Sequence, residues 1–497
     1  MVLPGRSLGK ALLRWTPSLI VLAAALQALA RVGGGQSFSG GGHGGSSGGG
    51  GNGIDGELIW ILVQVLFRYP VVGIPVAGLV VYVLLRQSRA PRPGDAPPLE
   101  TDDFGEAPPM GSARRQLLEL MRPDTGFSLV LFEDFLYALY AAAQEARAGG
   151  RLETLSAFLS EAARRAIDVS RPARVEAVIV GGLYPIDAVQ TPGSPFIQVR
   201  VRFESNYSEV PAQGPEQTFY AVEIWTLRRA ATARSRPPDQ TRVFKCPSCG
   251  GPLEGVIAGK CSYCGKDVAT GEFDWLVESV EILEREARQP VLFSDEDPPE
   301  ISPVTKATAG VDQRLGALEA RDPTFSFDAF RQRAEMIFLE LQAAWSTRNW
   351  KRARPFTSDR LFHEWSHWME LYQRAHARNV VDRPRLDRLE VCDVESDRYY
   401  DAITCRLQAT CVDYTLSDDG KLLGGQRDRE RPFSEYWTLI RGAGAKGPAS
   451  AQKKCPSCGA DLEINMAGRC EYCKAEVSSG AFDWVLSRIE QDAAYEG

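Results

Sequence analysis

The sequence predicts an α+β chain in which one domain occurs twice and each copy carries an inserted metal-binding unit. Three observations predict it. Within a copy, apolar residues first recur at helical spacing and then alternate strictly, the order of helices followed by antiparallel strands. Phe127, Phe132 and Phe158 recur as Phe325, Phe330 and Phe356 at an offset of 198, and Glu223, Trp225 and Leu227 recur as Glu435, Trp437 and Leu439 at 212. Cys246, Cys249, Cys261 and Cys264 recur as Cys455, Cys458, Cys470 and Cys473 at 209, so length differences fall in loops.

Each cysteine set is two CxxC pairs, CPSCGGPLEGVIAGKCSYC at 246–264 and CPSCGADLEINMAGRCEYC at 455–473. Four thiolates in two close pairs match what tetrahedral Zn2+ demands, so both sets are expected to be structural zinc ribbons. The competing reading is a disulfide framework, which belongs to secreted chains without a large core. Cys405 and Cys411 lie on one face of an alternating strand and read as small buried side chains. Cys392 has no such assignment.

The N-terminal hundred residues read differently. Arg6, Lys10 and Arg14 precede an apolar run ending in Ala28-Leu29-Ala30, so 1–30 is expected to be a signal peptide or leader helix. Residues 31–56 are a Gly/Ser-rich tract with too little apolar surface to offset its ordering entropy. The transmembrane segment 58–86 is apolar and splits at Pro70, so its second part, from Tyr69, is expected to cross the bilayer as one helix and the first to be a tilted or interfacial lead-in. Asp55 and Glu57 precede it and Arg86, Arg89 and Arg92 follow, which puts the C-terminal domains on the cytoplasmic side of the inner, or plasma, membrane. Reduced thiols persist there, in keeping with zinc. A Pro-rich acidic linker, 87–115, is expected next, then a first domain over 116–290 with its ribbon at 244–268. A linker at 291–313 and a second domain over 314–497, with its ribbon at 453–477, complete the chain.

In the first copy Phe132, Phe135, Leu136, Leu139 and Tyr140 mark one helix, and a second is expected from Leu152 to about Ile167. Ile197, Val199, Val201 and Phe203 alternate with polar residues along a half-buried strand. Strands from Val175 to Val180 and from Phe219 to Leu227 flank it, and EFDWLVESVEI and its counterpart AFDWVLSRIEQ read as final strands. Each ribbon would then sit between the third and fourth strands. With so little core of its own, it would draw roughly 10–16 kcal/mol of apparent folding energy from the metal.

The run DPTFSFDAF (322–330), then AWSTRNWKRARPFTSDRLF, the alternating strands and EYWTLIR resembles the Tim forty-four-like family, named for a peripheral subunit of the mitochondrial inner-membrane import translocase. The first copy resembles it in outline. The resemblance implies nuclear-transport-factor-two-like cone domains, helices on a curled antiparallel sheet, attached to a membrane. It implies binding of protein or anionic lipid partners, with a link to protein translocation, in place of catalysis. The doubling and the zinc ribbons depart from the mitochondrial subunit, and no catalytic residue carries over.

Two other chemistries compete. HEWSH at 363–367 matches the HExxH metalloprotease signature, with Glu364 as general base and His363 and His367 on zinc. His376 does not fall at the expected third-ligand spacing, and the apolar face of this helix leaves both histidines on its polar side. Nucleic-acid binding through the ribbons would use Lys245, Lys260, Lys266, Lys453, Lys454 and Lys474, but acidic neighbours such as Asp267 and Glu471 break up the basic surface, and the net charge is -7. No nucleic-acid partner is expected, and no motif identifies a small-molecule substrate.

Overall fold

The computed structural model describes residues 110–241, 243–288, 292, 301–492 and 495. The expected leader, Gly/Ser-rich tract and transmembrane segment lie outside the described residues. Among those described, no helix is long and apolar enough to cross a membrane.

Helix α1 (Met110–Met121) buries Ala113, Leu117 and Met121, a stripe with a four-residue repeat, and packs on strand β1 (Arg174–Val189). It starts inside the stretch expected to be linker, because this stripe has a sheet to bury against. Helix α2 (Leu129–Arg147) is opened by Ser128, whose side chain accepts the Leu131 N–H. It drives Phe132, Phe135, Leu136, Leu139 and Tyr140 into the core.

The single helix expected from Leu152 to Ile167 is broken in two. Leu152–Leu155 is a 3-10 turn, and α3 (Glu161–Ile167) begins only after Ser160 caps it through the Ala163 N–H. Between them Leu159 bridges Val277 in parallel, and the Ser160 N–H bonds the Val277 carbonyl at 2.9 Å. The sheet claims backbone groups that a continuous helix would have used internally.

Strands β1, β2 (Phe196–Val210), β3 (Gln217–Ala230) and β4 (Leu276–Ala287) pair antiparallel in that order. Val199, Val201 and Phe203 of β2 face the helices, opposite Leu227, Trp225 and Glu223. The final strand starts at Leu276, four residues after Glu272, because the Asp274 carboxylate takes the Trp275 N–H and turns the chain first.

The second half repeats the plan. It has α4 (Val311–Arg321), α5 (Phe327–Ser346), a 3-10 turn at Trp350–Phe356 and α6 (Asp359–Arg374). Strands β5 (Ala377–Ser396), β6 (Tyr400–Ser417), β7 (Leu422–Gly442) and β8 (Val485–Gln491) again pair in chain order.

Individual contacts recur as well. Ser326 caps α5 as Ser128 caps α2. Thr357 bridges Leu486 as Leu159 bridges Val277. A buried Asp–Arg pair closes each half, Asp124–Arg229 at 2.6 Å and Asp322–Arg441 at 3.0 Å, and each guanidinium lies over a tryptophan, Trp275 or Trp484. That tryptophan meets Phe132 or Phe330 at ring-centre distances of 5.0 and 5.1 Å.

The expected linker 291–313 is partly structural. Lys306 N–H bonds the Tyr436 hydroxyl, Thr308 bonds the Cys392 carbonyl, and α4 starts at Val311. Cys405 and Cys411 lie in the second core, and Cys392 is buried with Tyr436 and Tyr495.

The second sheet is buried on both faces. Ile403, Trp437 and Leu439 face its own helices, while Thr404, Thr438 and Ile440 on the opposite face are also buried. Residues of α1 and α2 from the first half approach that outer face. There Arg488 of β8 donates to Glu133 of α2, and Arg114 of α1 contacts both Glu133 and Glu490.

Candidate metal centres and the HEWSH helix

Both cysteine sets lie between the third and fourth strands of their sheets. In the first, the Sγ atoms of Cys246 and Cys264 are 4.0 Å apart and those of Cys249 and Cys261 3.9 Å. In the second, Cys455 and Cys473 are 3.8 Å apart and Cys458 and Cys470 4.0 Å. A tetrahedron of thiolates with metal–sulfur bonds of about 2.3 Å has edges of about 3.8 Å. The donor sets therefore fit a tetrahedral thiophilic ion, and Zn2+ is the expected one. Four protein ligands close such a site, so the metal would staple the hairpin.

The knuckles follow from local backbone geometry. After each CxxC the chain folds back so that an N–H reaches the first cysteine's carbonyl: Gly250 to Cys246, Gly265 to Cys261, Gly459 to Cys455 and Lys474 to Cys470. That fold needs a left-handed residue, and φ is 72°, 73° and 74° at the three glycines. Lys474 takes the fourth place at φ 60°.

The two centres are attached differently. Cys246, Leu253, Val256, Cys261 and Val268 belong to the main core of the first half, where Phe244 packs against Phe135 and Phe158. The second ribbon has a separate small core of Cys455, Cys470 and Val477. Polar contacts moor it: Arg354 Nε donates to the Met466 carbonyl at 2.9 Å, and Lys453 pairs with Glu340. Each tip exposes an aliphatic and an aromatic residue at matching places, Ile257 with Tyr263 and Met466 with Tyr472. The only sequence signal for these was their shared offset, 209, with the cysteines.

Helix α6 carries HEWSH, and its inward face is Leu361, Phe362, Trp365, Trp368, Met369 and Tyr372. Of the two histidines expected to be solvated, only His363 is exposed. Glu364 and His367 are half-buried, because the polar side of α6 packs against the first half: Arg360 lies 4.2 Å from the Tyr137 ring centre, and α6 touches β1. Burial pushes the Glu364 carboxyl up to about 8 against the pull of Arg360. Burial, helped by Arg374, brings His367 down to about 4. Among the described residues, only the two four-cysteine sets bring three or more metal-ligating atoms within 4.8 Å of one another. His376 faces Asp418 at 3.3 Å.

In the second ribbon Lys454 pairs with Asp461 and Lys474 with Glu471, and in the first Lys266 lies 4.9 Å from the Phe273 ring centre. A comparison of the chain with curated proteins finds no match. Residues 311–449, which run from the start of α4 past the end of β7, match the model of the Tim44-like domain, so the second half of this chain contains a Tim44-like domain.

Proposed function

We propose that this chain is a membrane-anchored, non-enzymatic binding or scaffold protein built from two Tim44-like domains. Each domain is stapled by a structural zinc ribbon, and both work at the cytoplasmic face of the membrane on protein or anionic-lipid partners in protein translocation. The observation that carries this reading is the Tim44-like match at 311–449, a domain type associated with membrane-bound translocation machinery. The recurrence of the Ser cap, the Asp–Arg–Trp cluster and the parallel bridge at equivalent positions supports extending it to 110–288. The apolar segment 58–86 and the arginines after it support the anchor and its orientation. Closed four-thiolate sets support a structural use of metal.

The test is capture of partners from membranes with the full-length protein, intact and zinc-stripped, combined with thiol alkylation from each side of the membrane. The reading expects a reproducible membrane-protein or lipid partner, ribbon thiols reactive from the cytoplasmic side only, and about two zinc ions per chain. Peptidase activity that disappears in Glu364→Gln would replace it with a metalloprotease.

A further inference from the structure

The two ribbon tips carry the same three side-chain chemistries at the same places. Ile257 and Lys260 pair across the Ala258-Gly259 turn of the first tip, and Met466 and Arg469 flank the matching Ala467-Gly468 turn of the second. Tyr263 and Tyr472 stand three residues further on, inside the second CxxC of each ribbon. Ile257 is 71% exposed, Tyr263 63%, Met466 51% and Tyr472 58%. Lys260 and Arg469 are exposed too, and neither makes an ion pair with a described residue. Where the first ribbon buries Val256 the second has Asn465, and Gly255 is matched by Ile464, yet the exposed aliphatic, the unpaired cation and the tyrosine recur. Of the acidic neighbours, Glu471 pairs with Lys474 and Glu463 faces the Tyr472 hydroxyl at 3.4 Å, while Glu254 and Asp267 are exposed beside the first tip.

We propose that each tip dips into the phospholipid headgroup layer of the bilayer that carries this chain. Ile257 or Met466 reaches the acyl boundary, Lys260 or Arg469 meets the lipid phosphates, and the tyrosine sits at headgroup level. An aliphatic side chain, a cation on a long stem and a tyrosine are the combination that partitions to that depth. This deepens the membrane-anchored reading and rests on it. The stretch 87–109 can reach at most about 80 Å, against about 55 Å across a compact body the size of residues 110–497, so its length lets any face of that body meet the bilayer. Held there by the anchor, a tip needs little affinity of its own. A stable protein interface needs about 1,000 Å² or more of matched surface, whereas a tip offers two large apolar side chains beside a tight turn, with acids around them.

The experiment is photocrosslinking of the full-length protein in equimolar phosphatidylcholine and phosphatidylglycerol vesicles, with adducts identified by mass spectrometry. Ile257→p-benzoylphenylalanine and Met466→p-benzoylphenylalanine should each form lipid adducts. Leu422→p-benzoylphenylalanine, at an exposed site on the far end of β7 from the second ribbon, should form none. Lys260→Glu should cut the lipid adduct at 257 about threefold or more, with metal content unchanged, by setting a carboxylate against the phosphates. Protein adducts in place of lipid at either tip, equal lipid adducts at 422, or an unchanged yield in Lys260→Glu would each overturn the proposal. Resistance to alkaline carbonate extraction reads the anchor separately. Extracted protein would defeat the membrane-anchored reading and this proposal with it, whereas retained protein without lipid adducts at 257 and 466 would overturn the tips alone.

Discussion

Arg488 Nη1 donates to both carboxylate oxygens of Glu133, at 2.8 Å each, across 355 residues of sequence. The pair joins the last strand of the second sheet to α2, and both side chains are almost wholly buried. Burial alone would push the Glu133 carboxyl up, but Arg488, Arg114 and Arg360 together hold it below the usual carboxylate range. The two halves are therefore fastened by a charge network, and such a network is sensitive to the loss of any one member.

Glu133→Gln should consequently destabilise the contact between the halves by about 3–5 kcal/mol, the usual cost of leaving one partner of a buried pair alone. Removing both partners, as Glu133→Gln with Arg488→Met, should cost less than the sum of the single changes. Chemical denaturation of the two single variants and the double variant measures this coupling. A depressed carboxylate contributes stability above its unfolded pKa and loses it as pH falls, so the wild-type contact should loosen below about pH 4.3. Additive single variants would show that the pair is incidental.

The two four-cysteine sites should fail differently. Cys261 is part of the same apolar cluster as Phe135, Phe158 and Trp225, so Cys261→Ser should withdraw metal-derived folding energy from the whole first half. Cys470 shares its cluster only with the second ribbon, so Cys470→Ser should loosen the ribbon and spare the sheet behind it. Hydrogen exchange is the measurement. The first variant should lose protection in α2 and β2–β4, and the second should keep it in β5–β7 while 455–477 exchanges freely.

How much of this was legible in the sequence depends on whether a feature is local. The buried face of β2 could be read from Val199, Val201 and Phe203 because strand alternation is a property of the chain itself. The cysteine clusters could be read because metal spacing is local too. The break before Ser160 could not, since it depends on Val277, over a hundred residues away, capturing the backbone. Nor could the burial of Glu364 and His367. Their helix face is polar, and only the first half, docked against it, removes it from water. The Glu133–Arg488 pair was equally hidden, because Ser279 stands at the 209 offset from Arg488, so the recurring residues carry no trace of it.

Lys474 is the one knuckle residue that holds a left-handed backbone without being glycine. A side chain at that conformation costs about 1–2 kcal/mol. Against this, Lys474 gains a contact with Glu471 that is solvent-exposed and worth little. Lys474→Gly should therefore stabilise the second ribbon by about 1 kcal/mol. It should also slow release of its metal to a competing chelator, with the first centre unchanged. A faster release would mean that the Lys474 side chain matters more to the knuckle than its backbone strain.

Glu364 and His367 should shape stability in opposite directions as pH changes. The folded state raises Glu364 to about 8, so folding takes up a proton between the ordinary glutamate pKa, about 4.3, and that value. Stability is then lost as pH rises through this window. His367 is lowered to about 4, so its neutral form is favoured and stability is lost as pH falls from about 6.5 towards 4. Glu364→Gln keeps the shape and stays neutral at every pH. Its advantage over the wild type should be close to zero at pH 4, grow up to pH 8 and level off beyond. With the Glu364 slope removed, the variant should expose the His367 slope as a rise in stability between pH 4 and 6.5, which His367→Gln in the same background should flatten. Urea denaturation across this range checks both slopes. A Glu364→Gln variant less stable than the wild type at pH 8 would mean that the carboxylate is ionised against Arg360 in the folded protein, and that the polar side of α6 is held to the first half by charge and not by burial of a neutral acid.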